Sequence, residues 1–91
     1  MLSSHDTGLD QIALHQKALV TEVRDERPGD PVSQRLRDIG FVCGEEVVLV
    51  TRGIFGGQPL LAQIGFTRFA LRRSEAKRIT VTLVDNSQDG V

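Results

Sequence analysis

The sequence predicts a mainly β fold, a small barrel of five to six short strands with one short α-helix inserted after the first strand and a one-turn helix before the last. Three observations carry this. Short β-branched or alternating segments recur between turn signals. Only one longer stretch, Pro31–Ile39, has helical spacing with matched start and stop signals. The chain has 91 residues, room for one domain with a small core.

The elements follow in order. Met1–Gly8 is polar and reads as a disordered tail. Leu9 and Ile12 are three apart, the spacing of one helical turn that pins the N-terminus to the core. Lys17–Arg24 reads as the first strand, with Leu19, Thr21 and Val23 on one face and Ala18, Val20 and Glu22 on the other. Asp25–Asp30 is charged and contains the turn pair Pro28-Gly29. Asp30 can cap the next helix, and Pro31 suits its first position. Val32, Leu36 and Ile39 make its apolar stripe, and Gly40 sits where the left-handed terminator belongs.

Beyond Gly40 the period changes. Glu45–Arg52 contains Val47-Val48-Leu49-Val50, a strand. Gly53–Pro59 holds three glycines and reads as a loop. Pro59–Ile64 and Thr67–Arg72 read as two strands joined tightly at Gly65-Phe66. Ser74–Arg78 allows one helical turn capped by Ser74, and Ile79–Leu83 is the cleanest alternation in the chain. Asp85–Val91 is a polar C-terminal tail, so a single domain is expected over residues 9–84.

Composition excludes several function classes. Eleven basic and twelve acidic residues leave a net charge of −1, unlike a protein that lives on nucleic-acid phosphate or anionic lipid. Aromatics are 4% of the chain: Phe41, Phe55, Phe66 and Phe69, without Trp or Tyr. Stacking platforms for bases need more than this, so no nucleic-acid partner is expected. No apolar run approaches 18 residues. The first ten residues lack the basic-then-apolar pattern of a signal peptide. A single cysteine, Cys43, fits a reducing cytoplasm, so the expected location is cytoplasmic and no membrane insertion is expected.

An enzyme is not expected, and no catalytic residue is assigned. No nucleophile elbow, phosphate loop or His-Glu-x-x-His motif is present. Gly53-Ile54-Phe55-Gly56-Gly57 is followed by Pro and a strand, where a phosphate cradle needs a helix N-terminus. It reads as a hairpin loop. His5, Asp6, His15 and Cys43 are the soft or borderline metal ligands, and their spacing fits no intramolecular motif. His5, His15 and Cys43 stand as candidates for an iron or zinc ion shared between chains. No cofactor is required by anything in the sequence.

Charge is unevenly distributed along the chain. Residues 1–51 carry −4, residues 52–78 carry +5, and residues 79–91 carry −2. The middle segment holds Arg52, Arg68, Arg72, Arg73, Lys77 and Arg78 against Glu75 alone. Arg68 and Arg72 alternate with Phe69 and Leu71, so they face outward if the latter face the core. Arg52, Arg68, Arg72 and Arg73 are therefore the candidate partner-binding residues, for an acidic protein patch or an anion. The competing reading is charge protecting an edge strand from aggregation.

Two stretches resemble the FeoA family, small cytosolic accessory proteins of bacterial ferrous-iron transport. One is Arg35-Leu36-Arg37-Asp38-Ile39-Gly40-Phe41-Val42-Cys43-Gly44-Glu45-Glu46-Val47, like that family's Arg-Leu-x-[Asp/Glu]-Leu-Gly-[Phe/Met]-x-Pro-Gly-x-x-[Val/Ile] signature. The other is Phe69-Ala70-Leu71-Arg72-Arg73-Ser74-Glu75-Ala76, like its Leu-x-Leu-Arg-x-x-Glu-Ala stretch. The resemblance covers roughly Leu9 to Val84. It implies an SH3-like barrel in which Leu36, Gly40, Phe41, Gly44 and Leu71 are scaffold. Two departures stand out. Cys43 occupies the place of a Pro, and Leu14-His15 stands where the family commonly has Pro-Gly.

The resemblance implies a partner, the cytosolic part of a membrane ferrous-iron transporter with a GTP-binding domain. The chain would then act as an adaptor or activator, recruited peripherally to the inner membrane through that transporter. A homo-oligomer is compatible with this. Proline-rich peptides are not expected ligands despite the SH3-like fold, because those grooves use Tyr and Trp. The alternatives are a metal-binding or metal-bridged regulatory module of the same fold.

Overall fold

The computed structural model describes residues 6–84. Regular structure begins earlier than the sequence suggests. Asp6–Gly8, assigned above to the N-terminal tail, forms strand β1 against the last strand, Thr7 opposite Val81. The alternation signal needs more than three residues to register, so this strand is decided by its partner. The C-terminal tail 85–91 and His5 lie outside the described residues. A single 3-10 turn, Leu9–Gln11, follows, and Leu9 and Ile12 are buried as their spacing implied.

The remaining elements are β2 (Ala18–Val23), α1 (Pro31–Ile39), β3 (Glu46–Gly53), β4 (Gly57–Ile64), β5 (Thr67–Leu71), α2 (Arg73–Lys77) and β6 (Ile79–Leu83). The strands make one antiparallel sheet in the order β1-β6-β2-β3-β4-β5. Inner-face residues from β2 to β6 join Leu9, Leu36 and Phe41 in one core. The sheet therefore curls around that core, and among the described residues β1 and β5 are its two edges.

Three local outcomes differ from the sequence reading. In β2 the register shifts between Val20 and Glu22, a bulge. Val23 thereby joins Ala18 and Val20 in the core rather than Leu19 on the outer face. In α1 the buried positions are Ser33 and Leu36, while Val32 is half-buried and Ile39 is 36% exposed. The helix is rolled toward its polar side because Ser33 donates a 2.6 Å hydrogen bond to the Arg24 carbonyl. In α2 the cap residue is Arg72 rather than Ser74, and Ser74 lies inside the helix. The Arg72 backbone N–H donates to the Glu75 carboxylate at 2.7 Å, which fixes the entry to that turn.

The end of α1 shows why the glycine is there. Gly40 has φ 126°, a conformation that a side chain disfavours. Its N–H donates to the Arg37 carbonyl, and the Phe41 N–H donates to the Leu36 carbonyl, each at 3.1 Å. This paired closure satisfies two helix-end carbonyls and drops Phe41 into the core beside Leu36. Phe41 is fully buried and meets Phe69 of β5, ring centroids 5.7 Å apart. Gly44, with φ 97°, then turns the chain into β3.

The segment Gly53–Pro59 is shorter as a loop than expected. Its two ends pair, Gly53 opposite Gly57, so β3 and β4 continue to a tip of Ile54, Phe55 and Gly56. Gly53 packs directly on the Gln58 carbonyl group, and a Cβ there would overlap it. Gly53→Ala is expected to cost about 1–3 kcal/mol, the scale of overpacking. A chemical denaturation midpoint unchanged from the parent chain would show that the tip can yield.

Candidate docking surface

The described residues enclose no pocket. Nor do three or more His, Cys, Asp or Glu side chains gather among them in a metal-binding group. His15 and Cys43 are both exposed and occupy separate places. The His15 N–H bonds the Leu49 carbonyl in the middle of β3, with His15 at φ 68° where the resemblance puts a glycine. Cys43 lies in the turn whose Gly44 N–H bonds the Val20 carbonyl in β2.

The four candidate arginines separate into two kinds. Arg52 is half-buried, and its guanidinium donates to the Ile12 carbonyl at 2.6 Å. It clamps the N-terminal segment onto β3. Arg73 donates from its guanidinium to the Gly56 carbonyl, and its backbone N–H donates to the Gln58 side chain at 2.7 Å. It braces the β3–β4 tip against the start of α2. These two charges serve internal contacts.

Arg68 and Arg72 are exposed, Arg68 on the outer side of β5 and Arg72 directly after its last residue, at the cap of α2. Phe69 and Leu71 between them turn inward, Leu71 fully so. The alternation of β5 turns Arg68 outward, and the extended backbone of Arg72 continues it, with the two Cα atoms about 13 Å apart at strand rise. Arg68 Nε donates to Gln63 Oε1 of β4 at 2.8 Å, which orients the side chain without neutralising it. The Arg72 guanidinium makes no hydrogen bond or ion pair among the described residues.

A further cation of the basic segment, Arg78, is not available for docking. Its Nε lies 2.8 Å from Asp30 Oδ2, and the Asp30 side chain is fully buried. Asp30 also accepts from the Val32 N–H at 3.0 Å and the Glu26 N–H at 2.9 Å. These bonds, led by the Glu26 N–H and then Arg78, hold its carboxyl well below the usual carboxylate range against the opposing effect of burial. The sequence marked Asp30 as a helix cap. Its partner 48 residues away carried no local signal.

An apolar tip lies beside this edge. Ile54 and Phe55 are 88% and 78% exposed. Arg73 and Gln58 hold the tip in place while its apolar side chains stay in solvent. The flanking Gly53, Gly56 and Gly57 mark a turn in the sequence, but not that its apolar side chains stay in solvent.

The fold is shared with known proteins. The FeoA domain family matches residues 7–83. A crystal structure of FeoA from Stenotrophomonas maltophilia complexed with zinc is 53% identical, with a TM-score of 0.77 over 82% of this chain and 88% of that one. It is described as an SH3 domain protein possibly acting as a ferrous iron transport activating factor. A solution structure of a FeoA-like protein from Clostridium acetobutylicum is 26% identical, TM-score 0.75, over 93% and 92% of the two chains. The manganese regulator SloR, 14% identical with a TM-score of 0.67 over 86% of this chain and 34% of that one, shares the fold alone. No curated protein sequence matches. Among the described residues, six antiparallel strands and two α-helices, with the family's match spanning almost all of them, lead to one conclusion. The chain belongs to the FeoA family, small SH3-like accessory domains associated with ferrous iron transport.

Proposed function

We propose that this chain is a non-enzymatic adaptor that docks on the cytosolic GTP-binding part of a membrane ferrous-iron transporter and supports or activates uptake. The observation that carries the reading is the exposed pair Arg68 and Arg72, on and directly after the edge strand β5, in a chain of this family. Both charges remain outward, while Arg52 and Arg73 are used to brace the fold. Docking of this kind places the protein in the cytoplasm, held at the inner membrane through the transporter. Exposed charge of this sort steers association and is sensitive to salt.

The test is co-purification with the transporter from detergent-solubilised membranes. The Arg68→Glu, Arg72→Glu double variant is expected to bind about tenfold or more weakly, each reversal contributing on the order of 1 kcal/mol. Its thermal midpoint should be unchanged, because neither guanidinium holds the core. Equal binding of parent and variant would overturn the choice of face. The isolated protein is expected to hydrolyse no GTP.

The zinc complex of the Stenotrophomonas maltophilia relative favours a second reading, a metal-bridged module. In this chain His15 and Cys43 are exposed and so open to a ligand shared with another chain. Alanine at both positions, with His5 replaced in parallel, should then abolish zinc binding measured by calorimetry. Unchanged zinc affinity removes that reading.

A further inference from the structure

We propose that the free edge of β5 binds its partner by strand addition, taking an extended segment that carries two acidic residues four positions apart. The proposal deepens the docking reading above and rests on it. Its first support is backbone geometry. Ile64 and Thr67 flank a two-residue turn, and the register then runs Gln63 with Arg68, Ala62 with Phe69 and Leu61 with Ala70. In such a hairpin the pair beside the turn is hydrogen-bonded, and bonded pairs alternate from there. Thr67, Phe69 and Leu71 therefore spend their N–H and C=O groups on β4. Arg68 and Ala70 point theirs away from the sheet, and no backbone partner meets them among the described residues. At Arg72 the edge is closed, since its N–H is taken by Glu75.

The second support is charge. Arg68 and Ala70 put their side chains on the outer face of β5, and Arg72, exposed and still extended at the cap of α2, follows at its end, so the row is charged at both ends and small in the middle. A strand laid along this edge would bring alternate side chains opposite them. Acidic residues opposite Arg68 and Arg72 fall at i and i+4 of that strand. The same pair selects against a second copy of this chain. Antiparallel pairing of two β5 edges about Ala70 sets Arg68 of one copy opposite Arg72 of the other, like charge on like charge. In that register the edge is guarded against itself, and it is open to an acidic strand.

The experiment follows backbone amides of the isotope-labelled full chain by NMR. The probe is a synthetic Thr- and Val-based peptide with Glu at two positions four apart, and its control carries Lys in their place. The expected result is saturable shifts centred on β5, slowed hydrogen exchange at the Arg68 and Ala70 amides, and at least tenfold weaker binding of the Lys peptide. Ala70→Pro removes only an outward N–H, which an edge position tolerates. It should keep the spectrum of the folded chain and lose about tenfold or more in affinity. The Arg68→Glu, Arg72→Glu variant should lose as much, which keeps the test valid if the proline variant unfolds. Unslowed Arg68 and Ala70 amides at saturation, equal binding of both peptides, or response only to anionic phosphatidylserine vesicles would overturn the proposal. So would concentration-dependent dimerisation through β5 without peptide. If the folded proline variant still co-purifies with the transporter while the glutamate variant does not, strand addition falls and the docking face stands. If both co-purify as the parent does, the docking face falls with it.

Discussion

Phe41→Ala is expected to destabilise the fold by about 3–5 kcal/mol, the cost of truncating a fully buried aromatic. Phe41 has no exposed surface, sits on Leu36 at the helix exit and contacts the Phe69 ring. Stability of roughly 0.05–0.15 kcal/mol per residue gives a domain of this size about 4–12 kcal/mol in total. The substitution therefore removes from about a quarter to all of it, and urea denaturation followed by circular dichroism should show the midpoint fall accordingly. Phe66→Ala is the matched control. The Phe66 side chain lies wholly in solvent at the β4–β5 turn, and its removal should stay within about 0.5 kcal/mol. Similar losses at both positions would mean that Phe41 is not the keystone between helix and sheet.

Replacing Asp30 by Ala should have an effect of comparable size, by a different route. The carboxylate is buried and joins three segments: the Glu26 turn, the start of α1, and Arg78 just before β6. Its loss removes the helix cap and leaves the nearly buried Arg78 guanidinium without its counter-charge. The thermal midpoint should drop by on the order of 10 °C or more, given ~4–8 °C per kcal/mol in a domain this small. A second change, Arg78→Met, should restore part of it, because the stranded charge is then gone. Additive losses in the double variant would show that the two residues are not coupled.

The same carboxylate sets an acid limit. Its folded-state pKa is depressed, and its unfolded value is about 3.9. It therefore contributes stability that is fully present above about pH 5, and that is lost as pH falls below about 4 toward the folded value. Thermal melts of the parent chain should fall steeply in that acid window. Melts of the Asp30→Ala chain should start lower and fall less. Parallel curves would place the acid sensitivity elsewhere.

Helix α1 shows how far local sequence reaches. Asp30, Pro31 and Gly40 mark its ends by backbone chemistry that needs no partner, and both ends fall where the residues put them. The helix rotation did not follow from the Val32, Leu36, Ile39 stripe. Ser33 found a carbonyl on Arg24, and that bond turned its face inward. The bulge at Thr21 is similar: alternation assigns faces only while the register is unbroken, and a one-residue insertion reverses them. Among the candidate arginines, outward placement of Arg68 and Arg72 was legible because their neighbours Phe69 and Leu71 alternate. The internal use of Arg52, Arg73 and Arg78 was not, since their acceptors lie 40, 17 and 48 residues away in the chain.

By itself, then, the sequence determined the mainly β character, the helix and its limits, the tight turn at Gly65-Phe66 and the family signature. Each of these depends on torsion preferences or side-chain periodicity within a few residues. Only the tertiary structure decided which strands are edges, that Asp6–Gly8 is one of them, and which arginines stay free. An edge is defined by the pairing that does not occur, and a free charge by the acceptor that does not arrive. Both depend on segments brought together from opposite parts of the chain.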